Sequence, residues 1–260
     1  MSQSYIYFPC THQTVKAVTI VVHGLNNKPM AMMALVNQLL SWRSDVFLVQ
    51  LSGHTAESSK TPLSEKDWVQ DLYQTYQQAR TTAGLDKPKP LYFLGYSLGA
   101  LVNMHVITLK PEEMYYDKMV LLAPALSLRT QLTKLLQVAT DLLPPRLKIP
   151  SLTPKPYRAG AALPVKAYTL LYKMALAVEK SAFKGLSMPV LVIMDTKDEM
   201  VSYKRLSTLI RTHLPSWQLY TLPKNTDNQF RYAHLILDER SVGEKNWVQM
   251  LDQIKQFLQL

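Results

Sequence analysis

The chain has 260 residues, 47% hydrophobic and 18% charged, a balance that fits one globular domain and excludes a disordered or fibrous chain. Its formal charge is +10, and a single cysteine, Cys10, excludes an internal disulfide framework. Met1–Phe8 has neither a basic start nor a long apolar core, and no apolar run is longer than a strand, which predicts a soluble, cytoplasmic protein without a transmembrane segment.

In chain order, Val15–Val22 reads as a buried strand, Met30–Trp42 as a helix and Val46–Leu51 as a second strand. Glu65–Thr82 follows as a helix, with Ser64 before it and Asp67 in its first turn supplying an N-terminus. Leu91–Leu94 and Met119–Leu122 are strands on either side of a helix over Leu98–Leu109. After a long interval come the strand Val190–Met194, the helix Tyr203–Thr212, the strand Gln218–Leu222 and the helix Glu244–Leu258. The strand runs lack clean alternation, as strands covered on both faces do, and their alternation with helices predicts an α/β fold around a mostly parallel sheet.

Between the fourth and fifth of these strands the rhythm breaks. Leu126–Leu142 and Leu163–Phe183 are helix-like, joined by a link containing Pro144, Pro145, Pro150, Pro154 and Pro156. Sixty residues are too many for one crossover, so 125–185 is expected to be a helical cap inserted into a core of 1–124 and 186–260. From Ala125 to Lys184, ten Lys and Arg face only Asp141 and Glu179, an excess of +8. Such charge suits nucleic acid, an anionic membrane surface or a solvated face; the interleaved leucines point away from nucleic acid and leave the other two open.

Gly95-Tyr96-Ser97-Leu98-Gly99 lies directly after a strand and before a helix. A serine nucleophile presented on a sharp strand-to-helix turn needs small neighbours, because the chain doubles back on itself. Its hydroxyl also needs a base, and the base needs an orienting acid. Of the two histidines that follow Ser97, His213 ends a helix, whereas His234 sits in a late loop and is the expected base. The acid should follow Val190–Met194. Asp198 has room to reach His234, while Asp195, the second choice, comes straight off the strand and would shape the turn. Asp227 and Asp238 read as solvated loop residues. Backbone N–H donors for an oxyanion are expected at Leu98, the residue after the nucleophile, and at Leu25, in the His23-Gly24-Leu25 loop after the first strand.

Val21-Val22-His23-Gly24-Leu25, Leu51-Ser52-Gly53-His54-Thr55, the Gly95–Gly99 motif, Met188–Asp198 and the late His234 together resemble the monoacylglycerol lipase, lysophospholipase and carboxylesterase branch of the α/β-hydrolases. The resemblance covers nearly the whole chain outside the cap. Members carry Gly-His-Gly where this chain has Gly53-His54-Thr55, and glycine where it has Asp195. The likeness implies an α/β-hydrolase fold and cleavage of carboxylic esters, often of fatty acids, with no metal or organic cofactor and with His54 structural. The cap's Leu132, Leu135, Leu136, Val138, Leu142, Leu143, Leu170, Leu171, Met174 and Leu176 either pack onto the sheet or line an acyl pocket. Alternatives that share the fold are a peptidase of the proline-iminopeptidase kind, a thioesterase and a non-catalytic binding module. The first needs an acid for the substrate's amine, and the cap offers only Asp141 and Glu179.

Overall fold

The computed structural model describes residues 4–12, 14–54, 63–84, 88–181, 183, 186–223, 229–230 and 232–260. Met1, Thr55, Lys184 and Asp227, named above, lie outside them, as does position 185 at the end of the expected cap. The chain runs β1 (Tyr5–Phe8), β2 (Ala17–Val22), α1 (Met33–Ser41), β3 (Ser44–Val49), α2 (Glu65–Ala83), β4 (Leu91–Tyr96), α3 (Leu98–Leu109) and β5 (Lys118–Leu122). It continues through α4 (Thr130–Leu142), β6 (Lys148–Pro150), β7 (Ala162–Pro164) and α5 (Val165–Lys180). The last part holds β8 (Val190–Asp195), α6 (Tyr203–His213), β9 (Trp217–Leu222), α7 (Glu239–Val242) and α8 (Glu244–Leu258).

The central sheet has the order β1-β3-β2-β4-β5-β8-β9. β1 pairs antiparallel with β3, and every other pairing in this sheet is parallel. Strands β2 to β5 are covered on both sides, which is why their sequences are mostly apolar without clean alternation. Val18, Ile20 and Val22 of β2 face one cluster with Trp68 and Leu72 of α2, while Ala17 and Val21 face the other with Leu35 of α1 and Ile254 of α8. Helix α2 begins with a capping box, in which the Ser64 and Asp67 side chains each accept from the other residue's backbone N–H.

Strand order determines where the site lies. From β2 the chain crosses to β3 on one side, then returns to β4 on the other. The loops leaving β2 and β4 therefore diverge at their C-terminal ends and open a crevice there. Val22 and Gly95 are paired in register, so the two loops begin side by side.

Sequence reasoning missed three short pieces: β1, the hairpin β6–β7, and α7. Asp238, expected as a solvated loop residue, instead caps α7: its side chain accepts the Ser241 N–H at 2.9 Å. It also accepts the Tyr157 hydroxyl at 2.8 and 2.9 Å, which ties the β6–β7 connection to the late loop.

Between β5 and β8, helix α5 packs on both α3 and α4. The β6–β7 connection is also held at the loop after β2. The Asn26 side chain donates to Ser151 Oγ and the Gly160 carbonyl, and accepts the Gly160 N–H. Arg205 of α6 pairs with Glu179 of α5 at 2.7 Å and donates to the Leu128 carbonyl at 2.9 Å.

Candidate active site

Ser97 stands between β4 and α3 with φ 49° and ψ −109°, a conformation that disfavours any residue with a Cβ. The turn holds because its neighbours leave it no alternative. The Ser97 N–H donates to the Leu122 carbonyl at 2.9 Å, and the Ala125 N–H donates back to the Ser97 carbonyl at 3.2 Å. Gly99 lets α3 press against the end of the neighbouring strand β2: a Cβ there would sit 2.5 Å from the Val22 oxygen and 2.7 Å from that of His23.

The structure brings Ser97, His234 and Asp198 into one hydrogen-bonded line, buried at all three members. His234 Nδ1 lies 2.8 Å from Asp198 Oδ2, and His234 Nε2 lies 2.9 Å from Ser97 Oγ. An ionised carboxylate only accepts, so Nδ1 carries the proton and Nε2 is left to accept from the serine hydroxyl. Asp198 Oδ1 accepts the N–H groups of Met200 at 2.8 Å and Val201 at 2.7 Å, which fixes the carboxylate plane. Asp195 is placed differently. Its Oδ1 accepts the Lys197 N–H at 2.7 Å and its carbonyl accepts the Asp198 N–H, so it shapes the turn that presents Asp198. Burial raises the Asp195 carboxyl above its ordinary value. His213 is exposed at the end of α6, away from this line.

The backbone of His234 is held at both ends. Glu199 accepts the N–H of Ala233 at 2.8 Å through Oε1 and that of His234 at 2.9 Å through Oε2. On the other side, the buried Tyr96 hydroxyl donates to the His234 carbonyl at 3.1 Å. Arg129 Nε donates to the Asp198 carbonyl at 2.6 Å, linking the start of the β5–β8 insertion to the acid's own loop. Sequence reasoning named none of these roles, since each partner is distant in the chain.

Leu98 is the first residue of α3, so its N–H has no acceptor within the helix. Leu25 lines the same cavity as Ser97. A Cβ on Gly24 would lie 2.7 Å from the Tyr96 ring and 2.8 Å from Asn27 Oδ1. The cavity is about 170 Å³ and is lined by Ser97, His234, Leu25, Met200 and Val201 from the core, together with residues of the insertion. Those residues include Leu132 and Leu136 of α4, Leu163 of β7, and Tyr168 and Leu171 of α5. Leu170 and Met174 are instead buried in the packing of α5, and Leu135, Val138, Leu142 and Leu143 are exposed.

His23 and His54 lie under the loop that carries Leu25, with ring centroids 4.9 Å apart. His23 Nε2 accepts the Leu51 N–H at 3.3 Å, so Nδ1 donates to the Gly24 carbonyl at 2.9 Å. Burial pushes His23 down to about 3 and His54 down to about 4. Both are therefore neutral in the fold. Unfolded histidine takes up its proton near pH 6.5, so their contribution to stability is complete above that pH and is lost as pH falls toward 4. Each can contribute a slope of at most about 1.4 kcal/mol per pH unit in that window. Urea unfolding at pH 7 and pH 5 is expected to show a loss of stability that His54→Gln reduces. An identical pH dependence in the variant would contradict this.

A mostly parallel sheet with a serine at the β4–α3 turn and helices on both faces defines an α/β hydrolase. The chain belongs to the family described as Serine aminopeptidase, S33, which it matches over residues 13–222. Comparison with curated proteins finds no sequence match. Among solved structures, the chain is similar to a soluble variant of monoglyceride lipase from Saccharomyces cerevisiae in complex with a substrate analog. That likeness has a TM-score of 0.80 at 15% identity and covers 98% of this chain and 90% of the other. The monoacylglycerol lipase of Paleococcus ferrophilus aligns with a TM-score of 0.72 at 15% identity over 99% and 100% of the two chains. Est1E from Butyrivibrio proteoclasticus gives 0.63 at 15% identity over 96% and 90%. At these identities the likeness is one of fold.

Proposed function

We propose that the protein is a serine carboxylic ester hydrolase acting on acyl or lipid esters. The observation that carries this reading is the Ser97–His234–Asp198 line opening onto a largely apolar cavity. Ser97 Oγ attacks the ester carbonyl carbon as His234 Nε2 takes its proton. The N–H groups of Leu25 and Leu98 hold the resulting oxyanion. When the intermediate collapses, the carbon–oxygen bond to the alcohol breaks and His234 returns the proton to the departing alkoxide. A water molecule then attacks the acyl carbon and gives a proton to His234; the carbon–Oγ bond breaks, His234 returns the proton to Ser97 Oγ, and the carboxylic acid leaves. None of these steps draws on a metal or an organic cofactor.

In this reading, residues 125–185 act as a cap whose inner leucines receive the acyl chain. Esters of one alcohol with acids of increasing chain length test it: hydrolysis should rise from short to medium chains and vanish in Ser97→Ala. No hydrolysis of any ester by the folded protein would defeat the proposal.

The outer face of the cap supplies the argument for where such substrates are met. Leu135, Val138 and Leu142 follow helical spacing along α4 and are 65%, 53% and 75% exposed, and Leu152, at the cavity itself, is 77% exposed. Arg146, Lys148 and Lys155 are exposed beside them. An apolar stripe with a basic margin suits an anionic lipid surface, where each Lys or Arg adds about 1 kcal/mol. Among the described residues no helix is long and apolar enough to cross a membrane. The protein should bind anionic vesicles, weaken as salt rises, and bind neutral vesicles poorly. Reversing Arg146, Lys148 and Lys155 to glutamate should reduce binding and leave hydrolysis of a small soluble ester nearly unchanged. Equal affinity for both vesicle types would reduce the charge to a solvated face.

A further inference from the structure

The charge inside the cavity is opposite to the charge outside it. Among the described residues no Lys or Arg lines the cavity; of those residues Glu199 is the one carboxylate there, and His234 the one other titratable group apart from tyrosines. The backbone N–H groups of Ala233 and His234 hold the exposed Glu199 side chain against the loop that carries the imidazole. Each of its oxygens accepts one such bond and keeps capacity for another. Among the described residues no cation pairs with it. Tyr168 and Tyr232 line the same cavity, and aromatic rings attract cations.

We propose that Glu199 makes this site select esters with a cationic leaving group over neutral ones, and neutral ones over anionic ones. The proposal rests on the reading of Ser97 and His234 as ester-cleaving residues. His234 returns its proton to the departing alkoxide, so the leaving group passes the imidazole. Glu199 is bonded to that residue's own backbone, and the proposal therefore assigns the carboxylate to the leaving-group side. A quaternary ammonium there meets a carboxylate and aromatic rings; a sulfonate or phosphate meets the carboxylate alone and is repelled. The basic outer face cannot reverse this preference, because charges in solvent are screened over roughly 8 Å at physiological salt. An anionic surface outside and a cationic or neutral head group inside are thus compatible.

The test uses three esters of one medium-chain acid with alcohols of similar size: choline, 3,3-dimethylbutanol and isethionate, which are cationic, neutral and anionic. In the wild type, kcat/KM should fall by about tenfold from choline to dimethylbutyl ester, and again by about tenfold to the isethionyl ester. In Glu199→Gln both ratios should approach one. Because ratios are compared, a uniform loss of rate from a disturbed His234 loop does not mimic the effect, and thermal unfolding checks that the variant folds. Reversing Arg146, Lys148 and Lys155 should leave the ratios unchanged. Hydrolysis of all three at equal rates, or ratios that persist in Glu199→Gln, would overturn the assignment and leave the esterase reading intact. No hydrolysis of any of the three by the folded wild type would overturn both. An aminoacyl anilide cleaved faster than its N-acetylated form in a Glu199-dependent manner would place the cation on the acyl side and overturn the leaving-group assignment.

Discussion

Ser97→Ala is expected to lower kcat by about 10⁴- to 10⁶-fold while the protein stays folded. The Ser97 hydroxyl lies 2.9 Å from His234 Nε2, and in the proposed mechanism its loss leaves the base with nothing to activate. A fluorophosphonate should label Ser97 in the wild type and nothing in the variant. Labelling that persists at another serine would overturn the assignment. The backbone separates chemistry from stability here. Alanine keeps the Cβ at φ 49° and so keeps the strain, whereas Ser97→Gly relieves it. Both variants should be inactive, and Ser97→Gly should gain on the order of 1–3 kcal/mol over Ser97→Ala in chemical unfolding. That difference would show conformational free energy held at the nucleophile turn.

Legibility in the sequence followed how much of the physics was local. The parallel strands were readable because burial on both faces leaves β-branched, aliphatic and aromatic residues in succession, as in Val18–Val22 and Leu91–Leu94. Strand β1 was not, since Tyr5–Phe8 lies half-buried at the sheet edge and its pairing with Val46–Val49 has no local signature. The β6–β7 hairpin has three-residue strands that end in Pro150 and Pro164, too short to show a period. Helix α7 had a readable cap in Asp238 and Ser241, yet four residues carry no helical pattern.

The site divides along the same line. Ser97, His234 and Asp198 could be chosen from chain order because the chemistry demands a nucleophile, an acid and a base, and the flanking strands limit the choices. Glu199 could not, because its partners are 34 and 35 residues away and are backbone amides of no distinctive sequence. Which leucines between β5 and β8 line the cavity was also unreadable. Leu132 and Leu135 lie on the same helix three residues apart; the first lines the cavity and the second faces solvent. Only the placement of α5 against α4 decides between them.

The second large effect is expected at the acid, where Asp198→Asn should cost about 10⁴-fold in kcat and Asp195→Asn far less. Both substitutions remove one negative charge from the same five-residue turn, so charge alone would make them similar. Hydrogen-bond direction makes them different. Asp198 Oδ1 accepts two backbone N–H groups, so an asparagine must keep its oxygen there and turn its amide NH₂ toward His234. That NH₂ donates, and forces Nδ1 to become the acceptor and Nε2 to carry the proton. A protonated Nε2 cannot accept from Ser97, and the serine loses its base although every heavy atom stays in place. Asp195 needs only an oxygen for the Lys197 N–H, which asparagine supplies equally well. Comparing kcat/KM of the two variants on one soluble ester, with thermal unfolding run alongside, decides the matter. A larger loss in Asp195→Asn than in Asp198→Asn would show that the turn, not the His234 tautomer, limits the reaction.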